Sequence, residues 1–442
     1  MRRLPLPTSL ADLHGPTDAE TSSMTSAFAV SLVLVLFAPA PETPTDGWPQ
    51  FRGPTGQGIV SAGKVPTDWG PDRNVAWKQE IPGTGWSSPV VHDGRIYLTA
   101  AVPVAGGAAS DLSLRTLCVS AKNGKILWDV EALKEDGSKA PKPHSKNSHA
   151  SPTPVIDAKE KRLYVHFGHM GTACLDLDGK VLWTQTDLTY APVHGNGGSP
   201  ILADGLLVFS IDGSDKQCVV ALDAANGKVK WQTDRHSKAT KKFSFSTPLV
   251  IEVDGKKQVI SPASDVVCAY DLKSGDEIWR VTYEGYSLIP RPVYAHGLVY
   301  TCTGFEAPQL LAIKADGKGD VTKTHVAWSI RKNVPLTPSL LVSGDELYMV
   351  SDHGMASCLD AKTGEAHWQE RLGGNFSASP ILADDKVYFL SEEGVGHVVK
   401  AAKKFERIAK NDLKERTLAS YAVAEGALFI RTETHLYRIE KP

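Results

Sequence analysis

The sequence predicts an all-β protein: an eight-bladed β-propeller of four-stranded antiparallel blades, closed by its own N-terminal strand. Three observations lead there. A hairpin ending in tryptophan recurs along the chain, its spacing is that of a propeller blade, and the last unit lacks one strand that the N-terminal end can supply.

The hairpin is clearest from Ala221 to Trp231: an apolar strand, an Asn226-Gly227 turn and a second strand ending in Trp231. It returns from Ala269 to Trp279 with Ser274-Gly275 at the turn, and from Cys358 to Trp368 with Thr363-Gly364. A looser copy spans Cys118 to Trp128, and one a residue shorter spans Cys174 to Trp183. Glycine supplies the positive φ that a tight hairpin turn requires, and the residue before it is a turn former. The repeated tryptophan is large and flat, suited to packing each unit on its neighbour. Trp77, Trp128, Trp183, Trp231, Trp279, Trp328 and Trp368 are the expected docking residues.

Each unit opens with a short polar-proline step and an apolar strand: Ser88-Pro89, Thr153-Pro154, Ser199-Pro200, Thr247-Pro248, Arg291-Pro292, Thr337-Pro338 and Ser379-Pro380. After a first step of 65 residues these prolines lie 42 to 48 apart, room for four short strands. An eighth opening, Ser420-Tyr421, lacks proline and is followed by only three strands before Pro442. Val75-Ala76-Trp77-Lys78-Gln79 carries an orphan tryptophan in the proper apolar setting. Pairing it with Leu436–Ile439 completes the eighth blade and removes open sheet edges, which otherwise template aggregation. The propeller is therefore expected over 75–442.

Residues 1–40 read as a leader. Arg2 and Arg3 precede an apolar run from about Ala27 to Ala38, too short for the ~20 residues of a spanning helix but suited to a secretory signal cut near Ala38-Pro39-Ala40. Export to the periplasm or beyond is the expectation, with no membrane span. No cysteine lies near Ala40, so a lipid anchor there is not expected. Residues 41–74 read as a Pro/Gly-rich linker and an irregular cap, with Trp48 less important to stability than the blade tryptophans.

Lys+Arg 48 against Asp+Glu 50 leaves a formal charge of −2, so no basic footprint argues for nucleic acid. None of the six cysteines forms a Cys-x-x-Cys, and five fall at equivalent places in successive units, so they read as buried free thiols.

From Trp48 to Pro442 the Ala-x-Asp-x-x-(Thr/Ser/Asn)-Gly-x-x-x-Trp copies resemble the repeat of the pyrroloquinoline-quinone (PQQ) propellers. That family includes quinoprotein alcohol dehydrogenases, BamB-type outer-membrane assembly proteins and exported bacterial propellers of undefined role. The opening Trp48-Pro49-Gln50-Phe51-Arg52-Gly53-Pro54 is similar to the last group. Family dehydrogenases carry two adjacent cysteines at the quinone. This chain has no such pair, no haem-attachment motif and no hydrolase motif. Catalytic residues, a metal and a cofactor are accordingly not expected, and PQQ with Ca²⁺ is disfavoured.

Candidate ligand contacts are His149, His166, His169, His194, Asn196 and Arg291, placed on loops of one face around the central channel. Five of the 14 histidines (the four named and His144) fall within residues 144–194. Arg291 stands where the other openings carry a small hydroxyl residue, and a cation there suits a carboxylate or phosphate. The residues 129–149 form a long, basic loop, read as a lid or as disordered. The expected function is a monomeric, non-catalytic binding propeller presenting a polar funnel to an envelope protein or an extended acidic polymer. An acidic ligand would be held more tightly at pH 6 than at pH 8 if the histidines protonate. The alternatives are a divergent quinoprotein dehydrogenase acting on an alcohol or sugar, and a BamB-like assembly factor.

Overall fold

The computed structural model describes residues 47–60, 65–107, 111–135 and 142–441. These belong to one compact unit. The leader expected over residues 1–40 lies outside the described residues.

Eight antiparallel four-stranded blades form the body. Blade 1 runs Val90–His92, Arg95–Pro103, Leu112–Ser120 and Ile126–Glu135. Blades 2 to 7 repeat this order, with first strands at Val155–Asp157, Ile201–Ala203, Leu249–Val253, Val293–Ala295, Leu341–Ser343 and Ile381–Ala383. Blade 8 takes Ala422–Ala424, Ala427–Arg431 and His435–Ile439 from the C-terminal end and Val75–Glu80 from the N-terminal end. The register pairs Val75 with Ile439, Trp77 with Arg438 and Gln79 with Leu436. Closure by the N-terminal strand is as the sequence predicts. The first strands of blades 8, 1, 2 and 3, and of blades 5, 6 and 7, touch in succession around the centre.

Apolar residues of the inner strands fill the spaces between blades, and each tryptophan hairpin adds an outer contact. The Nε1–H of Trp77, Trp128, Trp183, Trp231, Trp279, Trp328 and Trp368 donates to a backbone carbonyl of the following blade, at Ala121, Leu177, Ala224, Leu272, Ala315, Ala361 and Ala402, over 2.8–3.2 Å. Beneath these rings lie the turn glycines. A Cβ on Gly275 (φ +78°) would stand 2.6 Å from the Trp231 ring, so glycine answers both the turn and the stacked indole. All six cysteines are free and buried inside blades.

Two segments depart from the sequence expectation. The first is the polar-proline step of blade 6. Ser339-Leu340, not Thr337-Pro338, stands two residues before its first strand, as Ser379-Pro380 does in blade 7. Thr337 is held instead by Asp352, its hydroxyl donating to Oδ2 over 2.6 Å. The second is the segment 48–60, which does not lie over the body as a cap but runs along the inner edges of the blades. Trp48 exchanges both backbone hydrogen bonds with Val91 of blade 1. The Pro49 carbonyl accepts from Ile156 of blade 2, the Gln57 side chain accepts from the Tyr294 amide of blade 5, and the Gly58 carbonyl accepts from Leu382 of blade 7. Ile59–Val60 then adds a fifth, parallel strand to the inner edge of blade 7. Unpaired inner-edge amides are costly where buried, and this segment satisfies them on four blades. Trp69 follows, fully buried and stacked on Tyr388 with ring centroids 6.4 Å apart.

Candidate functional site

A funnel of about 500 Å³ opens at the centre of one face. Its wall is a ring of blade-opening residues held by one repeated bond, a backbone N–H of one blade to the hydroxyl of the next. Ser88 N–H donates to Thr153 Oγ1, Thr153 to Ser199 Oγ and Ser199 to Thr247 Oγ1, over 2.9–3.0 Å. On the other side Arg291 N–H donates to Ser339, Ser339 to Ser379, Ser379 to Ser420 and Ser420 back to Ser88, over 2.9–3.1 Å. The hydroxyls are buried and engaged, so their first role is to bind the blades to one another. The ring has one gap, between Thr247 and Arg291, because arginine carries no hydroxyl there.

Phe51 of the N-terminal segment lines the same cavity from within. The central channel is thus filled below the hydroxyl ring by residues 48–60, and the funnel is blind.

Above the ring the wall is aromatic over blades 2 to 5. His144 and His194 meet edge to face with centroids 5.6 Å apart, His194 meets Phe243 at 5.3 Å, Phe243 meets Tyr286 at 5.6 Å, and Tyr286 meets Phe305 at 6.2 Å. Lys241 Nζ sits 3.9 Å over the Tyr286 ring. Opposite, Arg416 lies over Trp86 at 5.3 Å. The connection after blade 1 leans across the mouth, where Lys146 Nζ donates to Glu392 Oε1 of blade 7 at 2.6 Å and Arg416 to the Ser145 carbonyl at 3.2 Å. Of the residues expected in a 129–149 loop, those up to Glu135 belong instead to the fourth strand of blade 1.

The sequence candidates do not form one surface. His194 lines the funnel. His166 is buried in blade 2, its Nδ1 2.8 Å from Thr172 Oγ1 and its ring centroid 4.3 Å from that of Phe209. Asn196 is also buried, accepting from Tyr190 Oη at 3.0 Å, donating to the Phe167 carbonyl and lying 3.4 Å from His169 Nδ1. His149 is half-buried and, with His166, His169 and Asn196, stays off the funnel wall. Arg291 is 2% exposed and turns away from the funnel, donating from Nε to the Pro248 carbonyl and from Nη1 to the Phe51 carbonyl. The aromatic arc escaped sequence reading, although Phe243 and Phe245 stand directly before the blade 4 opening as Trp86 does before that of blade 1.

Burial, with His169 beside it, pushes the His166 imidazole down to about 3. It stays neutral at pH 6, so it adds no affinity for an acidic ligand. Between pH 3 and the ordinary histidine value near 6.5 the unfolded chain binds a proton that the native state refuses, so stability falls as pH is lowered through that window. Thermal melts at pH 7 and pH 5 are expected to differ less for His166→Gln than for the natural chain.

Among the described residues Asp352 is the one carboxylate on the funnel wall, and it already accepts from Leu336, Thr337 and the Thr337 hydroxyl. No group of three His, Cys, Asp or Glu side chains able to hold a metal occurs among the described residues. No cysteine lines the funnel. Among the described residues no helix is long and apolar enough to cross a membrane.

The sequence matches the family described as outer membrane protein assembly factor BamB over residues 69–186, 115–324 and 265–405. Among curated proteins it is 26% identical over 212 residues to the outer membrane protein assembly factor BamB of Yersinia pestis, covering 43% of this chain and 50% of that protein. The chain thus spans about half the length of that curated relative. Among solved structures, BamB from Moraxella catarrhalis superposes with a TM-score of 0.56 at 14% identity, covering 82% of this chain and 99% of that one, a likeness of fold. A quinohemoprotein alcohol dehydrogenase from Comamonas testosteroni aligns at a TM-score of 0.47 and 13% identity, over 90% and 82% of the two chains. With the family match running from residue 69 to residue 405, and with eight four-stranded blades, the chain belongs to the PQQ-like β-propeller family that contains BamB.

Proposed function

We propose that this propeller is a non-catalytic binding protein of the cell envelope whose blind funnel receives an extended segment of a protein partner. The observation that carries this reading is the funnel wall, an aromatic arc above a ring of hydroxyls already engaged in holding the blades. Half-exposed aromatic rings beside fixed polar groups suit adaptable contact with a chain, and such rings anchor protein interfaces. Among the described residues the acids at the funnel are engaged: Asp352 is held by blade 6, and Glu392 beside the wall by Lys146 and Ser377. Similarity to proteins named as outer membrane assembly factors supports a protein over an acidic polymer, and an envelope location.

A photo-crosslinking residue in place of Phe305, on the funnel, and another in place of Leu127, exposed on an outer strand, test this in intact cells. Adducts to a discrete envelope protein are expected from position 305 and not from 127. Adducts from neither, or from 127 alone, would overturn the reading. Incubation with PQQ and Ca²⁺ is expected to give no bound-quinone absorbance, and a stoichiometric spectrum would point instead to the dehydrogenase alternative.

A further inference from the structure

Below the hydroxyl ring two guanidinium groups lie against one turn of the N-terminal segment. Arg52 is 1% exposed and Arg291 2%. A Cβ on Gly56 would fall 2.4 Å from Arg291 Nη1, and one on Gly58 2.7 Å from Arg52 Nη2, so both cations press on glycines two residues apart. Every hydrogen-bond acceptor they have is a neutral carbonyl. Arg52 Nη2 donates to Gln57 at 2.7 Å and Leu340 at 2.6 Å, while Arg291 donates to Pro248 and Phe51. Arg52 Nε and Nη1 are buried with no acceptor.

Buried charge is normally paired, because carbonyls alone leave most of its desolvation cost in place. The same protein shows the usual solution in blade 3. There Arg235 is fully buried but meets both oxygens of Asp212 at 2.7 and 2.9 Å, and its other donors reach Ser210 and Ser261. Among the described residues no acid plays that part for Arg52 and Arg291. Burial pushes both Arg52 and Arg291 down to about 9, and for Arg52 the Arg291 charge adds to the effect, with no carboxylate opposing either. Arg52 also holds a left-handed backbone (φ 66°), uncommon for a residue with a side chain and maintained only where the surroundings impose it.

We propose that the channel floor is an anion site, in which a single small inorganic anion of halide size is bound by Arg52 Nε and Nη1 beside Arg291. The choice of a small ion follows from burial: both guanidiniums are almost wholly buried and the glycine turn packs against them, which favours a halide over phosphate or a carboxylate-bearing chain. The bound ion neutralises the repulsion between the two cations and ties the N-terminal segment to blade 5. It is independent of whatever occupies the funnel above.

The test uses the full chain. Melting temperature is measured against chloride at constant ionic strength, with gluconate as the balancing anion, for the natural protein and for Arg52→Met. A saturable rise with chloride is expected, reproduced by bromide and lost in Arg52→Met. Crystals grown in bromide are expected to show an anomalous peak within contact distance of Arg52 Nη1. A melting temperature that is flat or merely linear in chloride, with no bromide peak there, overturns the proposal. So does a chloride dependence that Arg52→Met leaves intact. Should that variant fail to fold, the bromide difference map of the natural protein decides alone.

Discussion

A chain beginning at Ile81 is expected to lose its cooperative melt and to aggregate. The strand it lacks, Val75–Glu80, pairs along His435–Ile439 and hands the Trp77 indole to the Ala121 carbonyl of blade 1. Lys78 meets Glu415 of the loop after blade 7, and that carboxylate also accepts from Tyr437. Removing the strand bares the edge of His435–Ile439 and uncovers Gly124, whose turn packs under Trp77. An unpaired apolar edge is a template for association with another chain. A chain beginning at Arg73 keeps the strand but loses residues 48–60, which separates the two contributions. It is expected to remain folded at a lower melting temperature. If the chain from Ile81 melts as cooperatively as the one from Arg73, closure by the N-terminal strand contributes nothing.

Trp48→Ala is expected to destabilise the protein as much as Trp279→Ala, by roughly 3–5 kcal/mol each, the usual range for truncating a buried tryptophan. Both side chains are 0% exposed. Burying ~150–250 Å² of aromatic surface is worth about 4–6 kcal/mol at ~25 cal/mol/Å², an upper bound because the unfolded chain is itself partly collapsed. Trp48 packs over Gly53, where a Cβ would lie 2.7 Å from the ring. Trp279 additionally donates to Gln258 Oε1 and the Ala315 carbonyl, whereas Trp48 Nε1 has no acceptor. Any difference therefore favours a larger loss at Trp279, by ~1 kcal/mol for the hydrogen bond. Denaturant titration decides. A loss below about 1 kcal/mol at Trp48 would fit a loose cap rather than a packed channel segment, since surface substitutions stay near ±0.5 kcal/mol.

The blades were legible because their determinants are local. A turn glycine, a tryptophan four residues on and a polar-proline step report a blade without any knowledge of its neighbours, and Trp77 announced its missing partner by standing alone. The channel segment was not legible. Its partners lie far along the chain, Arg52 with Leu340 and Gln57 with Tyr294, and its turn-rich sequence has no periodicity to register against. Arg291 was visible as an exception among hydroxyls, but nothing local tells whether its side chain turns up to the funnel or down to Phe51. The histidines misled for a related reason. Closeness in sequence set His166 and His194 together, whereas the second strand of blade 2, buried on both faces from Leu163 onward, encloses the first and the loop presents the second.

The central claim is that residues 48–60 fill the channel and leave the funnel open on one face. Hydrogen exchange of backbone amides, read by mass spectrometry on the intact protein, tests it most directly. Amides of Trp48, Gly58, Val91, Ile156 and Leu382 all donate in this arrangement. They are expected to exchange as slowly as the second strands of the blades, because opening them requires withdrawing the segment from several blades at once. Exchange within seconds at Trp48 and Gly58, with Val91, Ile156 and Leu382 equally unprotected, would mean an open channel and contradict the blind funnel.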